Sequence, residues 1–95
     1  MNCNQIIFSK HAITRMFARK LSKELVIEVL KKGESIATYP DDQPLPGRLL
    51  LGFDNKRPVH LVVAYDESEK TCIIITAYVP DLSIWEPDFK KRRSI

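Results

Sequence analysis

The stretch P58-VHLVVAYDESEKTCIIITAY-V79 decides the fold. Two runs rich in β-branched and aromatic residues, Pro58–Tyr65 and Thr71–Val79, flank the polar turn DESEK (Asp66–Lys70). A short polar turn between two such runs predicts an antiparallel hairpin. Strict alternation places Val59, Leu61, Val63 and Tyr65 on one side of the first strand, with His60, Val62 and Ala64 on the other. In the second strand, Thr71, Ile73, Ile75, Ala77 and Val79 oppose Cys72, Ile74, Thr76 and Tyr78. Closure at the turn sets His60 across from the region Thr76 to Tyr78. One sheet face is then strongly apolar and needs a cover. The other is mixed and carries His60, Thr76 and Tyr78.

The cover lies upstream. In FSKHAITRMFARKLS (Phe8–Ser22), Ser9 is suited to cap a helix, and Phe8, Ala12, Ile13, Met16 and Phe17 recur at helical spacing. A second helix is predicted from Ser22, with Leu25, Val26, Val29 and Leu30 as its apolar stripe. Its end at Lys31-Lys32-Gly33 predicts a left-handed exit at the glycine. Ser35–Tyr39 and Arg48–Phe53 read as further strands, separated by the loop PDDQPLPG and followed by the turn DNKR. The order α-α-β-β-β-β predicts one α+β domain over residues 1–95: two N-terminal helices on one face of a mainly antiparallel four-stranded sheet. The segment PDLSIWEPDF is expected to cross the sheet edge with Trp85 and Phe89 tucked in. The basic end KKRRSI, residues 90–95, is expected to be a mobile tail.

Composition narrows the class. A hydrophobic fraction of 44% with 28% charged residues is that of a globular chain and argues against disorder. No apolar run is long enough to span a bilayer, and MNCNQIIFSK lacks the pattern of a secretory signal. Cys3 and Cys72 read as isolated thiols, so a reducing cytoplasm is the expected location and no membrane is implied. The net charge of +3 is unevenly spread. Residues 9–23 hold Lys10, Arg15, Arg19, Lys20 and Lys23 without one carboxylate, and Lys90, Lys91, Arg92 and Arg93 cluster at the end. Such patches on a near-neutral body favour an anionic partner.

The motifs F-S-x-H-A-x-x-R-M, S-x-E-x-x-x-E-V-L-x-x-G-E, Y-P-D-D, R-L-L-L-G, R-P-x-H-x-V-V-A and I-T-A-Y-x-P…W-E-P-D-F run along nearly the whole chain. Together they resemble the domain-of-unknown-function family numbered 4258, small bacterial proteins often encoded beside a zinc-finger-type antitoxin. That family is in turn similar to the RelE/BrnT group of type II toxins. The resemblance implies a RelE/barnase-like fold, metal-independent cleavage of mRNA, free or on the ribosome, and neutralisation by a cognate antitoxin protein of the zinc-finger type.

Cleavage through a ribose 2′-hydroxyl needs a base, cations around the phosphate and a proton for the leaving oxygen. No cofactor is required, and the absence of HxH, CxxC or HExxH spacing disfavours a metal site. The candidate catalytic residues are Arg48, His60, Tyr78 and His11. His60 lies mid-strand on the mixed face, with Tyr78 near it. Arg48 opens a strand where its guanidinium can clamp phosphate. His11 falls at a helix start, where backbone N–H groups also attract phosphate. Lys10, Arg15, Arg19, Lys90, Lys91, Arg92 and Arg93 are the candidate RNA-binding cations. Each has a plainer role open to it: a capping neighbour for His11, a hydrogen-bonded sheet residue for His60, a stem laid over the core for Arg15 and Arg19. Whether His11 and His60 share one site is open at this level. Two functions therefore stand as expectations: a metal-independent endoribonuclease toxin acting on RNA, or a non-catalytic RelE-like module engaging an antitoxin or another protein. A nucleic-acid-binding repressor fits less well, because the Leu21–Ser22 junction is too tight for a helix-turn-helix and the outward face of the second helix (Glu24, Glu28, Lys31) is mixed in charge.

Overall fold

The computed structural model describes residues 2–94. The chain runs β1 (Gln5–Phe8), α1 (Lys10–Arg19), α2 (Lys23–Lys32), β2 (Glu34–Tyr39), β3 (Gly47–Asp54), β4 (Arg57–Asp66) and β5 (Thr71–Tyr78). The α+β class stands, with two helices on one sheet. The sheet itself differs from expectation: it has five strands in the order β1-β5-β4-β3-β2 and is mixed. The additional strand is QIIF, which lies parallel to β5 with Ile6 beside Cys72 and Phe8 beside Ile74. The helices thus follow a first strand. Four residues are too few to show a period, and a parallel partner sixty-odd residues away leaves no turn to read.

The hairpin closes as its turn suggests, with Asp66 opposite Thr71 and His60 opposite Tyr78. Alternation fails at one point. Val62 pairs with Thr76 while Val63 pairs with Ile74, so Ile75 is an inserted bulge residue. The bulge moves Ala77 to the face of Cys72 and Ile74, and turns Thr76 and Tyr78 to the face of Ile73. That reverses the expected grouping for the distal half of β5. Val59, Leu61, Val63, Cys72, Ile74 and Ala77 are all buried beneath the helices, against Ala12, Met16, Val26, Val29 and Leu30. At about 25 cal/mol per Å² of apolar area, this layer is the main source of stability.

Both helix caps form as expected: Ser9 accepts from the Ala12 amide at 3.0 Å and Ser22 from Leu25 at 3.1 Å. The apolar stripe of α1 is narrower than expected, since Ile13 is 46% and Phe17 87% exposed. The left-handed exit belongs to Lys20, with φ 56°, and closes α1. Gly33 instead leaves α2 in extended geometry, φ −67°. Its glycine is required by crowding: a Cβ there meets the Val29 carbonyl at 2.5 Å and the Leu51 carbonyl at 3.0 Å.

Cys3 and Cys72 are joined by a disulfide rather than isolated. The register of β1 brings them together, with Cα atoms 5.5 Å apart across 69 residues of sequence. The pair staples the segment leading into β1 to the neighbouring strand β5. No helix among the described residues is long and apolar enough to cross a membrane.

Candidate functional site

Strand β1 ends at Phe8, and the next residue redirects the chain. The Ser9 amide donates to the Ile74 carbonyl at 3.0 Å, and its hydroxyl donates to the Ile75 carbonyl at 3.0 Å. Ser9 is therefore both the cap of α1 and the rivet that holds α1 to the bulge of β5. Beyond Ile74, β5 has no strand neighbour on that side. Here α1 lies along the open edge, and a cavity of about 400 Å³ forms between helix, strand and C-terminal segment.

His11, Arg15 and Arg19 enter this cavity from α1, and Thr76 and Tyr78 from β5, while Asp81, Ile84 and Trp85 close it from the C-terminal side. A spacing of four residues places the three α1 side chains in one row, roughly 6 Å apart along the axis. All three are exposed. Neither arginine pairs with a carboxylate among the described residues; the ion pairs present there are Lys32–Glu28, Arg57–Asp54, Lys90–Glu34 and Arg93–Glu86. A second cavity of about 420 Å³, near the end of α2, also holds charges, but its lysines Lys32 and Lys90 are matched there by Glu28 and Glu34, each at 3.1 Å. Of these two cavities, the one beside α1 is where the lining cations, Arg15 and Arg19, have no ion pair among the described residues.

Behind Tyr78 lies His60, fully buried. Its Nε2 is 2.7 Å from the Phe89 carbonyl, which can only accept, so Nε2 carries the proton. Burial lowers the imidazole pKa, with the Phe89 hydrogen bond acting in the opposite sense, and the neutral ring presents a bare Nδ1. Nδ1 then accepts the Tyr78 hydroxyl at 3.1 Å. Tyr78 keeps its proton, since burial pushes its pKa up. The Trp85 ring stands edge-on to the imidazole at 4.5 Å. No buried side-chain nitrogen or oxygen among the described residues lacks a partner.

The C-terminal segment is the lid of this arrangement. Asp81 accepts from the Ser83 amide at 2.8 Å, a turn that holds the Asp81 carboxyl below its usual range. Trp85 bridges to Arg92, whose guanidinium lies 5.9 Å from the indole centre. Arg93 reaches Glu86 at 3.5 Å and donates to the Leu82 carbonyl. Residues 90–93 are therefore docked, where a mobile tail was expected; Ile95 lies outside the described residues.

The candidates sort accordingly. His11, Arg15, Arg19 and Tyr78 meet in one cavity. His60 supports Tyr78 from behind without lining it. Arg48 sits on β3, two strands from β5, opposite Thr38 and Val63, and does not line the cavity. Lys10 is exposed, outside the row. Lys90, Arg92 and Arg93 are engaged by Glu34, Trp85 and Glu86. Asp81 and Ile84 were not legible as site residues, because nothing local marks a proline-flanked tail as a cavity wall.

A family model described as Domain of unknown function (DUF4258) matches residues 8–79. The match takes in both helices, the strands β2 to β5, and the five residues that enter the cavity from α1 and β5; Asp81, Ile84 and Trp85 lie beyond it. No curated protein and no solved structure matches the chain.

Proposed function

The chain belongs to the DUF4258 family, and we propose that it is an RNA-cleaving toxin of a type II toxin–antitoxin system, acting through the cavity under α1. The observation that carries this reading is the row His11, Arg15, Arg19 facing Tyr78 with no carboxylate paired to either arginine. Two guanidinium groups one turn apart hold the non-bridging oxygens of a phosphodiester. His11, exposed at the helix start, takes the proton of the ribose 2′-hydroxyl. The 2′ oxygen attacks phosphorus, the bond from phosphorus to the 5′ oxygen breaks, and solvent at the open mouth protonates the leaving oxygen. The products are a 2′,3′-cyclic phosphate and a free 5′-hydroxyl.

Tyr78 acts in the cavity as a hydrogen-bond acceptor. Its hydroxyl proton is committed to His60, so it offers lone pairs to the cavity. It accepts a hydrogen bond from a ribose hydroxyl, which favours RNA over DNA. His60 and the lid residue Phe89 act as positioning residues for Tyr78.

The test is cleavage of an end-labelled single-stranded RNA by the purified chain, alongside growth on expression. Cyclic-phosphate ends and growth arrest are expected, both lost in His11→Ala and Arg15→Ala. A wild-type chain that yields no cyclic-phosphate ends and no growth arrest overturns the reading. A non-catalytic module engaging an antitoxin is the second reading, supported by the engagement of His60 at both ring nitrogens. Under it, His11→Ala leaves partner binding unchanged and no RNA is cut.

A further inference from the structure

The outer side of α1 carries a second pattern that the cavity does not use. Lys10, Ile13 and Phe17 follow at spacings of three and four, which places them on one face of α1, and Lys20, the left-handed residue that closes the helix, stands at the C-terminal end. Ile13 and Phe17 are the exposed apolar pair noted above, with Phe17 at 87%. A phenylalanine this exposed stabilises nothing within its own fold, and burying it elsewhere is favourable. A lysine at each end gives the ridge a basic border.

The same molecule holds the complement. On the sheet face away from the helices, beyond the reach of the C-terminal lid, lies an apolar groove of about 300 Å³. Val62, Ala64, Ile73 and Ile75 form its floor, with Leu45 and Asp42 on its wall. Ile7, paired with Ile73 and 43% exposed, extends the floor toward the sheet edge. Asp41 and Asp42 give this end an acidic border, and the β4–β5 turn adds Glu67 and Glu69, all exposed. None of the four ion pairs among the described residues engages these carboxylates.

We propose that the chain self-associates head to tail, with the Ile13–Phe17 ridge of one copy seated in the Ile73–Ile75 groove of another. Charge decides the geometry. Two grooves face to face would set Asp41 and Asp42 against their own kind, and two ridges would set lysines against lysines. Only ridge in groove brings Lys10 and Lys20 to the acidic border. The contact is heterologous, so each copy keeps one free ridge and one free groove, and assembly continues until a ring closes. His11, Arg15 and Arg19 project from a different side of α1, so the cavity stays open in the assembly. The proposal does not depend on the RNA reading.

Sedimentation velocity at low salt tests it. The wild-type chain is expected to grow past a dimer as concentration rises from micromolar to millimolar, and to fall back toward monomer in high salt. Phe17→Ser alone, and Asp41→Lys with Asp42→Lys, are each expected to be monomeric with unchanged circular dichroism. Mixing these two variants restores one good contact per pair and gives one-to-one dimers that grow no further. A wild-type chain that stays monomeric at millimolar concentration overturns the proposal. So does a discrete dimer untouched by Phe17→Ser, or a mixture of folded variants that does not pair.

Discussion

The Nδ1 of His60 lies 3.1 Å from the hydroxyl of Tyr78, its direct cross-strand partner. That relationship exists because Ile75 bulges: without the inserted residue, Tyr78 would share the helix-covered face with Ile74. A buried imidazole with one nitrogen on a backbone carbonyl and the other on a phenol fixes the direction of both protons. The hydroxyl that reaches the cavity is therefore an aimed acceptor. Local bulge, buried base and cavity chemistry form one chain of cause.

The first consequence is a pH dependence of stability. Burial lowers the folded-state pKa of His60 from its ordinary 6.5. The unfolded chain then binds more protons than the folded one as pH falls below that value, so folding stability declines with acidification. The contribution is complete above about pH 6.5 and is lost progressively down to the folded pKa. Thermal melts between neutral and mildly acid pH are expected to show this fall, and His60→Gln to flatten it. The exposed carboxyls of Asp66, Asp81 and Asp88, held low by local hydrogen bonds, add a separate decline at more acid pH. A wild-type Tm that does not change across the histidine range contradicts the buried neutral ring.

Reduction of the disulfide gives a second outcome. The Cys3–Cys72 link closes a loop of 69 residues, for which the chain-entropy argument gives about 4 kcal/mol. A reductant is expected to lower the Tm of the wild-type chain and to leave Cys3→Ser unaffected. Because β1 leads directly into Ser9, loosening it also frees α1 from the β5 edge. Amide exchange in residues 5–19 is expected to rise before that of β3 and β4. Equal melts with and without reductant would show the two thiols to be unlinked.

Removal of the C-terminal segment from residue 89 tests its role as a lid. The truncation takes away the Phe89 carbonyl and leaves the His60 Nε2 proton without its partner, a cost of about 1–3 kcal/mol. Losing the Lys90–Glu34 pair adds little, since both side chains are about half exposed. Trp85 is the only tryptophan, so its emission reports the change directly and is expected to shift to the red. A truncated chain with native emission and native Tm would return the segment after Phe89 to the status of a loose basic tail.

The legible parts were those with a period or a turn. Ser9 and Ser22 announced two caps, DESEK announced the hairpin, and the turn set His60 across from the region Thr76 to Tyr78; the bulge then fixed Tyr78 as its partner. The row of His11, Arg15 and Arg19 was visible as charge without compensation, although its target was not. What escaped was non-local or aperiodic. QIIF has no neighbouring turn to mark it as a strand, so both β1 and the disulfide that depends on it stayed hidden. The bulge is invisible in CIIITAY because every position there tolerates either face. The lid is stabilised by backbone turns at Asp81 and Asp88 and by stacking on Trp85, none of which has a sequence period. These three features settle which candidates meet, which is why Arg48 and His60 looked alike at first and now differ.

That difference yields the last prediction, on binding of a short single-stranded RNA. Each phosphate neutralised in a single strand contributes a slope of about −0.7 to the logarithm of affinity against the logarithm of salt. Arg15 and Arg19 stand unpaired in the cavity, so Arg15→Ala and Arg19→Ala are each expected to weaken binding and reduce the slope by that amount. The double variant should lose about twice as much, since the two sites contact separate phosphate oxygens without sharing a partner. Arg48→Ala removes an exposed charge two strands away and is expected to leave both affinity and slope close to wild type. Lys91→Ala serves as a control for general positive charge on the lid. A slope that responds to Arg48 as strongly as to Arg15 would move the anion site from the edge of β5 to the far side of the sheet.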